Sequence, residues 1–206
     1  MATTKGERTR ERIVAAAAPL FNQRGYAASS MSELMAATGL EKGGIYRHFG
    51  SKDELALAAF DHTLALQSER IRSLVDAEDT AVGRLRALAR GIAGAVESPA
   101  IPGGCPLLNT AIESDDGQGA AHAELRKRTR TEMRRLIAYA RRIIEGGIAA
   151  GELAKSVDAR AEAESFVGAM EGALMLSKLY DDPHYVRQAV DRVGAHFARL
   201  TPASRR

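Results

Sequence analysis

The chain contains no tryptophan, one cysteine and few aromatic residues of any kind. With a single cysteine, no disulfide can form within the chain, and such sparse use of cysteine is typical of a reducing compartment. The apolar runs are shorter than the roughly 20 residues that a transmembrane helix needs. The N-terminus is polar and lacks the apolar core of a signal peptide. We therefore expect a cytoplasmic protein with no membrane partner.

Strand-forming sequence is also scarce. Runs of Val, Ile, Thr and aromatic residues are few, whereas Ala-rich stretches dominate a chain of 206 residues, 45% of them hydrophobic. Because alanine is the strongest helix former, this composition predicts an all-α fold. Glycine and proline breaks divide the chain into roughly nine helices.

Signatures of enzymes are missing as well. The chain shows no nucleophile motif and no phosphate-binding glycine loop. Its histidines are too scattered to have metal-ligand spacing; they are His48, His62, His122, His184 and His196. We therefore expect no catalytic residues, no metal and no other cofactor.

Positive charge is concentrated in the first quarter of the chain. The whole chain carries a net charge of +3, but residues 1–52 contain eight Lys and Arg against four Glu, so the remainder is slightly negative. A local basic excess is compatible with nucleic-acid binding and does not establish it.

Glycines and capping residues divide this basic quarter into helices. Residues 1–6 are expected to form a disordered arm, followed by a helix that ends at Gly25. A capping box at 30–33 opens a short helix that ends at Gly39, a second short helix covers 43–49, and another capping box at 51–54 opens a long helix. Two short helices joined by a glycine-containing turn, with a supporting helix on each side, are typical of a helix-turn-helix.

In such a unit the second short helix enters the major groove of DNA. Ile45 and Phe49 lie four residues apart and should face the core, so that Tyr46, Arg47 and His48 project outward. Glycines at the start of this helix allow the backbone to approach DNA closely. The alternative is a helical hairpin with exposed polar residues and no DNA function, and the pattern alone does not separate the two.

Residues 31–55 resemble the signature of the TetR family of repressors, most specifically in Tyr46-x-His48-Phe49-x-Ser51-Lys52-x-x-Leu55. The resemblance is strong over about 7–66 and weaker beyond. It implies a DNA-binding domain at 6–66 and a ligand-binding and dimerisation domain at 67–200. The positions that it implies for DNA contact are Ser30, Lys42, Gly44, Tyr46, Arg47, His48 and Lys52. For Arg47, reading of a guanine and contact with a phosphate remain equally open.

The same resemblance implies a homodimer that senses a small molecule. The last two predicted helices carry stripes of apolar and small residues: Phe166, Val167, Met170, Ala173, Leu174 and Ser177 on one, and Val186, Ala189, Val190, Val193 and Phe197 on the other. Gly168 and Gly172 allow close helix contact. These stripes would form either a four-helix interface with a second copy or the core of one chain, and periodicity does not separate the two.

The cysteine lies at a predicted helix start. Pro106 fits the first helical position and places Cys105 at the N-cap, where free backbone N–H groups favour a thiolate. The segment resembles the Gly-Cys-x-x-x-Asn element of a TetR branch that includes sensors of electrophiles and oxidants. In that branch a lysine of the penultimate helix partners the cysteine, and Lys178 is the candidate here. The alternative is that Cys105 is a small buried hydrophobic residue.

The predicted function is that of a homodimeric repressor, released from a palindromic operator by a small-molecule inducer, with an electrophile as one candidate. An activator of the same fold and a small helical enzyme or binding protein with a vestigial head are the alternatives. The candidate ligand-pocket residues, for which a plain core is the alternative, are Phe60, Leu64, Cys105, Leu108, Asn109, Ile112, Ile137, Met170, Leu174 and Lys178.

Overall fold

The computed structural model describes residues 4–116 and 119–202, apart from the side chains of 114–116. These residues form nine α-helices and no strand, which confirms the all-α prediction. The helices are α1 (Lys5–Ala28), α2 (Met31–Thr38), α3 (Lys42–Tyr46), α4 (Lys52–Asp76), α5 (Ala81–Glu97), α6 (Pro106–Asp116), α7 (Ala120–Ala149), α8 (Ala159–Leu179) and α9 (His184–Arg199). None of them is both long and apolar enough to cross a lipid bilayer.

The chain folds into two compact units, and the first is assembled from two separate stretches of sequence. It comprises Met1–Leu66 and Pro99–Thr129, whereas the second comprises Gln67–Ser98 and Arg130–Arg206. The first unit therefore includes α6 as well as α1, α2 and α3. The functional division at 6–66 and 67–200 stays a prediction, because compactness assigns no function to either unit.

The core of the first unit explains the helix-turn-helix arrangement. Ile45 and Phe49 are buried, as predicted from their spacing, and each is only 1% exposed. They pack in one cluster with Ile13, Val14, Ala17, Leu34 and Leu55. Burial of such side chains contributes about 1.5–3 kcal/mol each. This cluster holds α1, α2, α3 and the start of α4 together.

The first helix starts earlier than the sequence analysis predicts. The Thr4 side chain accepts a hydrogen bond from the Glu7 N–H at 3.2 Å, and the Glu7 carboxylate accepts one from the Thr4 N–H at 2.6 Å. This capping box makes residues 5 and 6 helical, so the predicted disordered arm is wrong there, while residues 1–3 lie outside the described residues. The predicted break at Gly25 is confirmed, since its φ of 82° and ψ of 170° interrupt the helix.

The apolar stripe of α8 lies in the core of the second unit. Phe166, Val167, Met170, Ala173, Leu174 and Ser177 are all buried within the chain. The ring centroids of Phe166 and Phe197 are 6.4 Å apart. In α9, Val186 and Val193 are buried as well, whereas Ala189 and Val190 are half-buried. The intramolecular alternative therefore holds for the stripe of α8.

Candidate nucleic-acid interface

A complete capping box and a left-handed glycine delimit α2. The Ser30 hydroxyl accepts a hydrogen bond from the Glu33 N–H at 3.2 Å, and the Glu33 carboxylate accepts one from the Ser30 N–H at 2.8 Å. The N–H of Ser30 is the main cause that lowers the pKa of Glu33. At the other end Gly39 adopts a φ of 65° and donates its N–H to the Met35 carbonyl at 2.9 Å. Both predicted ends of α2 are confirmed.

The short helix α3 presents its polar side chains to solvent. Tyr46 and Arg47 are exposed and His48 is half-buried, while Ile45 faces the core. The Lys42 ammonium lies 5.9 Å from the centroid of the Tyr46 ring. The helix ends at Tyr46, earlier than the predicted span 43–49, because the chain continues as a hydrogen-bonded turn that returns Phe49 to the core. The outward projection predicted for Tyr46 and Arg47 is confirmed.

The glycines of α3 differ in their surroundings. A Cβ atom at Gly43 would have nothing within 4 Å, whereas one at Gly44 would lie 3.4 Å from the Leu40 Cβ, an ordinary van der Waals contact. Packing within the described residues therefore does not require glycine at either position.

The second predicted capping box is only partly formed. The Glu54 N–H donates to the Ser51 hydroxyl at 3.1 Å, as predicted, but the Glu54 carboxylate accepts from the N–H of Gly50 at 2.8 Å rather than from that of Ser51. The same carboxylate is 3.0 Å from the Arg10 guanidinium, which lies 4.4 Å above the Phe49 ring. Glu54 thus supports the end of the helix-turn-helix as well as the start of α4.

A cluster around Tyr26 connects the end of α1 to the start of α4. The Lys52 ammonium donates to the Tyr26 carbonyl oxygen, and the Tyr26 hydroxyl donates to the Asp53 carboxylate. Burial, followed by the hydrogen bond to Asp53, raises the pKa of Tyr26 to about 12. Burial also lowers the pKa of Lys52, against the attraction of nearby carboxylates. Lys52 is therefore half-buried and already hydrogen-bonded within the first unit.

The cysteine segment also contacts α1. Cys105 is 3% exposed and precedes α6, where its carbonyl accepts from the Asn109 N–H at 3.1 Å. The buried Asn22 side chain donates to the carbonyls of Pro102 at 2.9 Å and Gly104 at 3.1 Å. The Asn109 side chain donates to the carbonyl of Asn22 at 3.0 Å. Cys105 is thus at the predicted N-cap position, next to a loop that is hydrogen-bonded to α1.

A small cavity adjoins this contact. Phe60 and Asn109, two of the predicted pocket residues, line it together with Asn22, Tyr26, Thr63 and Glu113. Its volume is about 30 Å³, whereas small-molecule pockets are typically about 300–1,000 Å³. In this conformation the cavity has room for water but not for an organic ligand.

The remaining predicted pocket residues do not gather at this cavity. Ile112 is 64% exposed and does not line this cavity, so its role in a ligand pocket stays a prediction. Leu64 and Leu108 are half-buried outside the lining. Cys105, in the first unit, is buried outside the lining, and the others belong to the second unit, where Met170 and Leu174 are core residues, Ile137 is half-buried and Lys178 is exposed. Among the described residues, no cluster of His, Cys, Asp or Glu fits a metal ion.

Sequence reasoning missed Asn22, Tyr26 and Glu113. The carboxylate of Glu113 accepts from the backbone N–H groups of Tyr26 at 2.9 Å and Ala27 at 2.7 Å. The one available signal was Asn22, a polar residue directly after Leu20 and Phe21 on the apolar face of α1, because a buried polar side chain requires hydrogen-bond partners.

Comparison with known proteins gives consistent results for both halves of the chain. Residues 13–59 match the family model "Bacterial regulatory proteins, tetR family", and residues 81–193 match the model "Tetracyclin repressor-like, C-terminal domain". A crystal structure of a TetR transcriptional regulator from Chloroflexus aurantiacus is 41% identical, covers 95% of this chain and 97% of that one, and superposes with a TM-score of 0.88.

Two further similar proteins are a regulator solved with DNA and a repressor. A cysteine-substituted form of the TetR family regulator CifR, solved with a 26-base-pair double-stranded operator DNA, is 22% identical over 96% of this chain and 98% of its own, with a TM-score of 0.80. An HTH-type transcriptional repressor of Mycobacterium tuberculosis is 37% identical over 37% of this chain and 44% of its own length. The chain spans about half, or less, of the length of the curated relatives it matches.

Proposed function

Because this chain belongs to the TetR family of bacterial transcriptional regulators, we propose that it is a homodimeric repressor, released from a palindromic operator by a small-molecule inducer. Membership of the family makes it a DNA-binding transcriptional regulator and not an enzyme, which confirms these two predictions. Dimerisation, repression, the inducer and the predicted cytoplasmic location belong to the proposal.

The exposed polar face of α3 carries the DNA part of this proposal. Tyr46 and Arg47 project from a helix whose opposite side is fixed by Ile45 in the core. We assign DNA contact to Ser30, Lys42, Gly44, Tyr46, Arg47, His48 and Lys52. The open space around Gly43 supports a close approach of the α3 backbone to DNA.

The outer faces of α8 and α9 support a homodimer. A groove of about 740 Å³ runs along them and is lined by small residues such as Ala169 and Ala189. A Cβ atom at Gly168 or Gly172 would have nothing within 4 Å, so packing among the described residues does not explain these glycines. Small residues on facing helices permit close approach of two helix pairs. Two α8–α9 pairs, one from each copy, therefore form the proposed interface.

Repression and release follow from bivalent binding. A dimer that engages two half-sites binds far more tightly than either recognition helix alone, because the second contact is intramolecular. Paired helices read half-sites about one helical turn apart, which accounts for a palindromic operator. An inducer that favours a different separation or tilt of the two heads lowers affinity without touching DNA.

The input to this mechanism is assigned to the segment around Cys105. Its N-cap position favours a thiolate, but a buried thiol must become accessible before an electrophile can react with it. Covalent sensing is tested with N-ethylmaleimide on the wild-type protein and on Cys105→Ser. Loss of operator binding in the wild type alone supports sensing, whereas unchanged binding in both proteins assigns Cys105 a structural role.

Footprinting on the DNA upstream of the protein's own gene tests the proposal as a whole. We expect protection of an inverted repeat at low salt, and a mass corresponding to two chains in the absence of DNA. A footprint that overlaps the promoter supports repression, and one upstream of the promoter supports activation. Absence of any protected sequence would contradict the assigned role of α3.

A further inference from the structure

The turn at 25–27, where Gly25 interrupts the last part of α1, is held from outside by a carboxylate of α6. Gly25 adopts a φ of 82° and a ψ of 170°, and this conformation directs the next two backbone N–H groups to one point. The Glu113 carboxylate occupies that point, with one oxygen 2.9 Å from the Tyr26 nitrogen and the other 2.7 Å from the Ala27 nitrogen. Successive backbone N–H groups of this kind bind anions, and here the anion is a side chain of the same chain.

The contact between Glu113 and this turn leaves little space. A Cβ atom at Gly25 would lie 2.7 Å from the Glu113 carboxyl group, so the glycine and the carboxylate are fitted to each other. Asn109, one helical turn earlier in α6, donates to the carbonyls of Asn22 at 3.0 Å and Gly103 at 2.9 Å. Two side chains of α6 thus hold the last turn of α1 and the turn that follows.

Tyr26 extends the contact to the start of α4. Its backbone N–H binds Glu113, its carbonyl accepts from the Lys52 ammonium, and its hydroxyl donates to Asp53. The turn leads directly into α2, whose N-cap is Ser30. Tyr26 is therefore positioned by α6, and it in turn connects the start of α2 to the start of α4.

We propose that Glu113 is a positioning residue for DNA recognition: its carboxylate fixes the turn at 25–27 and thereby the orientation of the helix-turn-helix. Glu113 need not touch DNA for this role. It acts through Tyr26, and any displacement of α6 that withdraws the carboxylate frees the turn. The inference requires only that the protein binds DNA, and it holds whether or not an inducer exists.

Removal of the Glu113 charge should change operator affinity in the opposite direction from removal of the charge of a surface acid. Removal of a negative charge from a DNA-binding protein strengthens its attraction to phosphates. If the Glu113 carboxylate only adds negative charge, the protein should therefore bind DNA more tightly when Glu113 is replaced by glutamine. If the carboxylate instead orders the helix-turn-helix, the same replacement should weaken operator binding, because hydrogen bonds to a charged group are lost.

The test uses two substitutions of the full-length protein, with the segment protected in the footprint and a duplex of shuffled sequence as probes. Glu113→Gln keeps the size and removes the charge, whereas Glu113→Asp keeps the charge and is too short to reach both N–H groups. We expect both to lower affinity for the protected segment by about tenfold, the size expected when charge-assisted hydrogen bonds are lost. Affinity for the shuffled duplex should be unchanged in Glu113→Asp, which keeps the charge, and unchanged or higher in Glu113→Gln, because that binding depends on charge.

Glu124→Gln is the matched control, since Glu124 is an acid of the same unit that pairs with Lys127 and Arg128 at the surface. It should leave operator affinity unchanged or raise it. Hydrogen exchange at the amides of Tyr26 and Ala27, measured together with the thermal midpoint, separates local release of the turn from general unfolding. We expect faster exchange at these two amides in both Glu113 variants.

Unchanged or tighter operator binding by Glu113→Gln would overturn the proposal, as would equal losses on both duplexes with no local change in exchange. Failure of the wild-type protein to bind any DNA would instead contradict the function on which the test depends. The two failures are therefore distinguishable.

Discussion

The Lys52 ammonium lies 2.7 Å from the Tyr26 carbonyl oxygen and 4.5 Å from the centroid of the same residue's ring. A lysine at the start of α4 is well placed for a phosphate, which is the role that the family resemblance implies. Its contacts give it a second role, because the ammonium also orders the residue that connects α1, α4 and α6. The two roles make different predictions for salt dependence.

Replacement of Lys52 by alanine should weaken operator binding mainly through loss of position. We expect the affinity for the operator to fall more than that for random DNA, and loss of the phosphate contact should also reduce the slope of log affinity against log salt by about 0.9. Lys42→Ala, at an exposed position of α3, should weaken both and reduce the slope of log affinity against log salt by about 0.9, the value for one phosphate contact. Titrations at several salt concentrations check this, and an unchanged slope for Lys52→Ala would mean that Lys52 affects DNA binding only through Tyr26.

Tyr26 should make stability depend on alkaline pH. Burial and the hydrogen bond to Asp53 raise its folded pKa to about 12, above the ordinary value of 10.0. The folded state therefore retains a proton that the unfolded chain releases, so the stabilisation is complete below about pH 10 and is lost as pH rises toward 12. Urea unfolding at increasing pH should show a steeper loss for the wild type than for Tyr26→Phe. Burial also raises the pKa of Tyr139, but this contribution is the same in both proteins. Parallel curves would contradict the prediction.

Replacement of Gly25 by alanine should lower the free energy of unfolding more than replacement of Gly39 by alanine. Both glycines have a positive φ, but a Cβ atom at Gly39 has nothing within 4 Å, while one at Gly25 meets the Glu113 carboxyl. We expect Gly39→Ala to lower the free energy of unfolding by about 1 kcal/mol. Gly25→Ala should lower it by about 3 kcal/mol, because its φ and ψ are accessible almost only to glycine. Equal losses in denaturant unfolding would contradict both the backbone argument and the cost of the contact with Glu113.

Leucine at Gly172 should prevent dimerisation. The residue lies in the groove of α8 and α9, where a large side chain would hold two helix pairs apart. Gly146→Leu is the matched control, since Gly146 lies in α7 with open space around it and outside this groove. Light scattering should give the mass of one chain for the first variant and of two chains for the second. A dimeric Gly172→Leu protein would place the interface elsewhere.

Local signals in the sequence predicted the helix-turn-helix well. The capping box at Ser30, the left-handed Gly39 and the break at Gly25 each depend on residues only a few positions apart. Such signals act before tertiary contacts form, so they can be recognised without knowing the fold. They also supplied the inward direction of Ile45 and Phe49, since helical spacing alone decides which side chains share a face.

The contacts that position the site were not predictable in the same way. Glu113 and Tyr26 are 87 positions apart, and nothing near either residue indicates the other. Periodicity indicates that a helix face is buried but not what covers it, which is why the stripe of α8 was compatible with both a core and an interface. Ile112 was assigned to a pocket for the same reason, although it is exposed.

The discontinuous first unit has a consequence for the exchange of DNA-binding heads between relatives. A chimaera that joins residues 1–66 of this chain to another regulator would leave behind the loop and α6 at 99–129, and with them the partners of Asn22 and the Tyr26 amide. The transplanted helices would retain their own core, yet the buried Asn22 amide would lose its acceptors. The portable module is therefore bipartite, and a functional graft must carry both stretches of sequence.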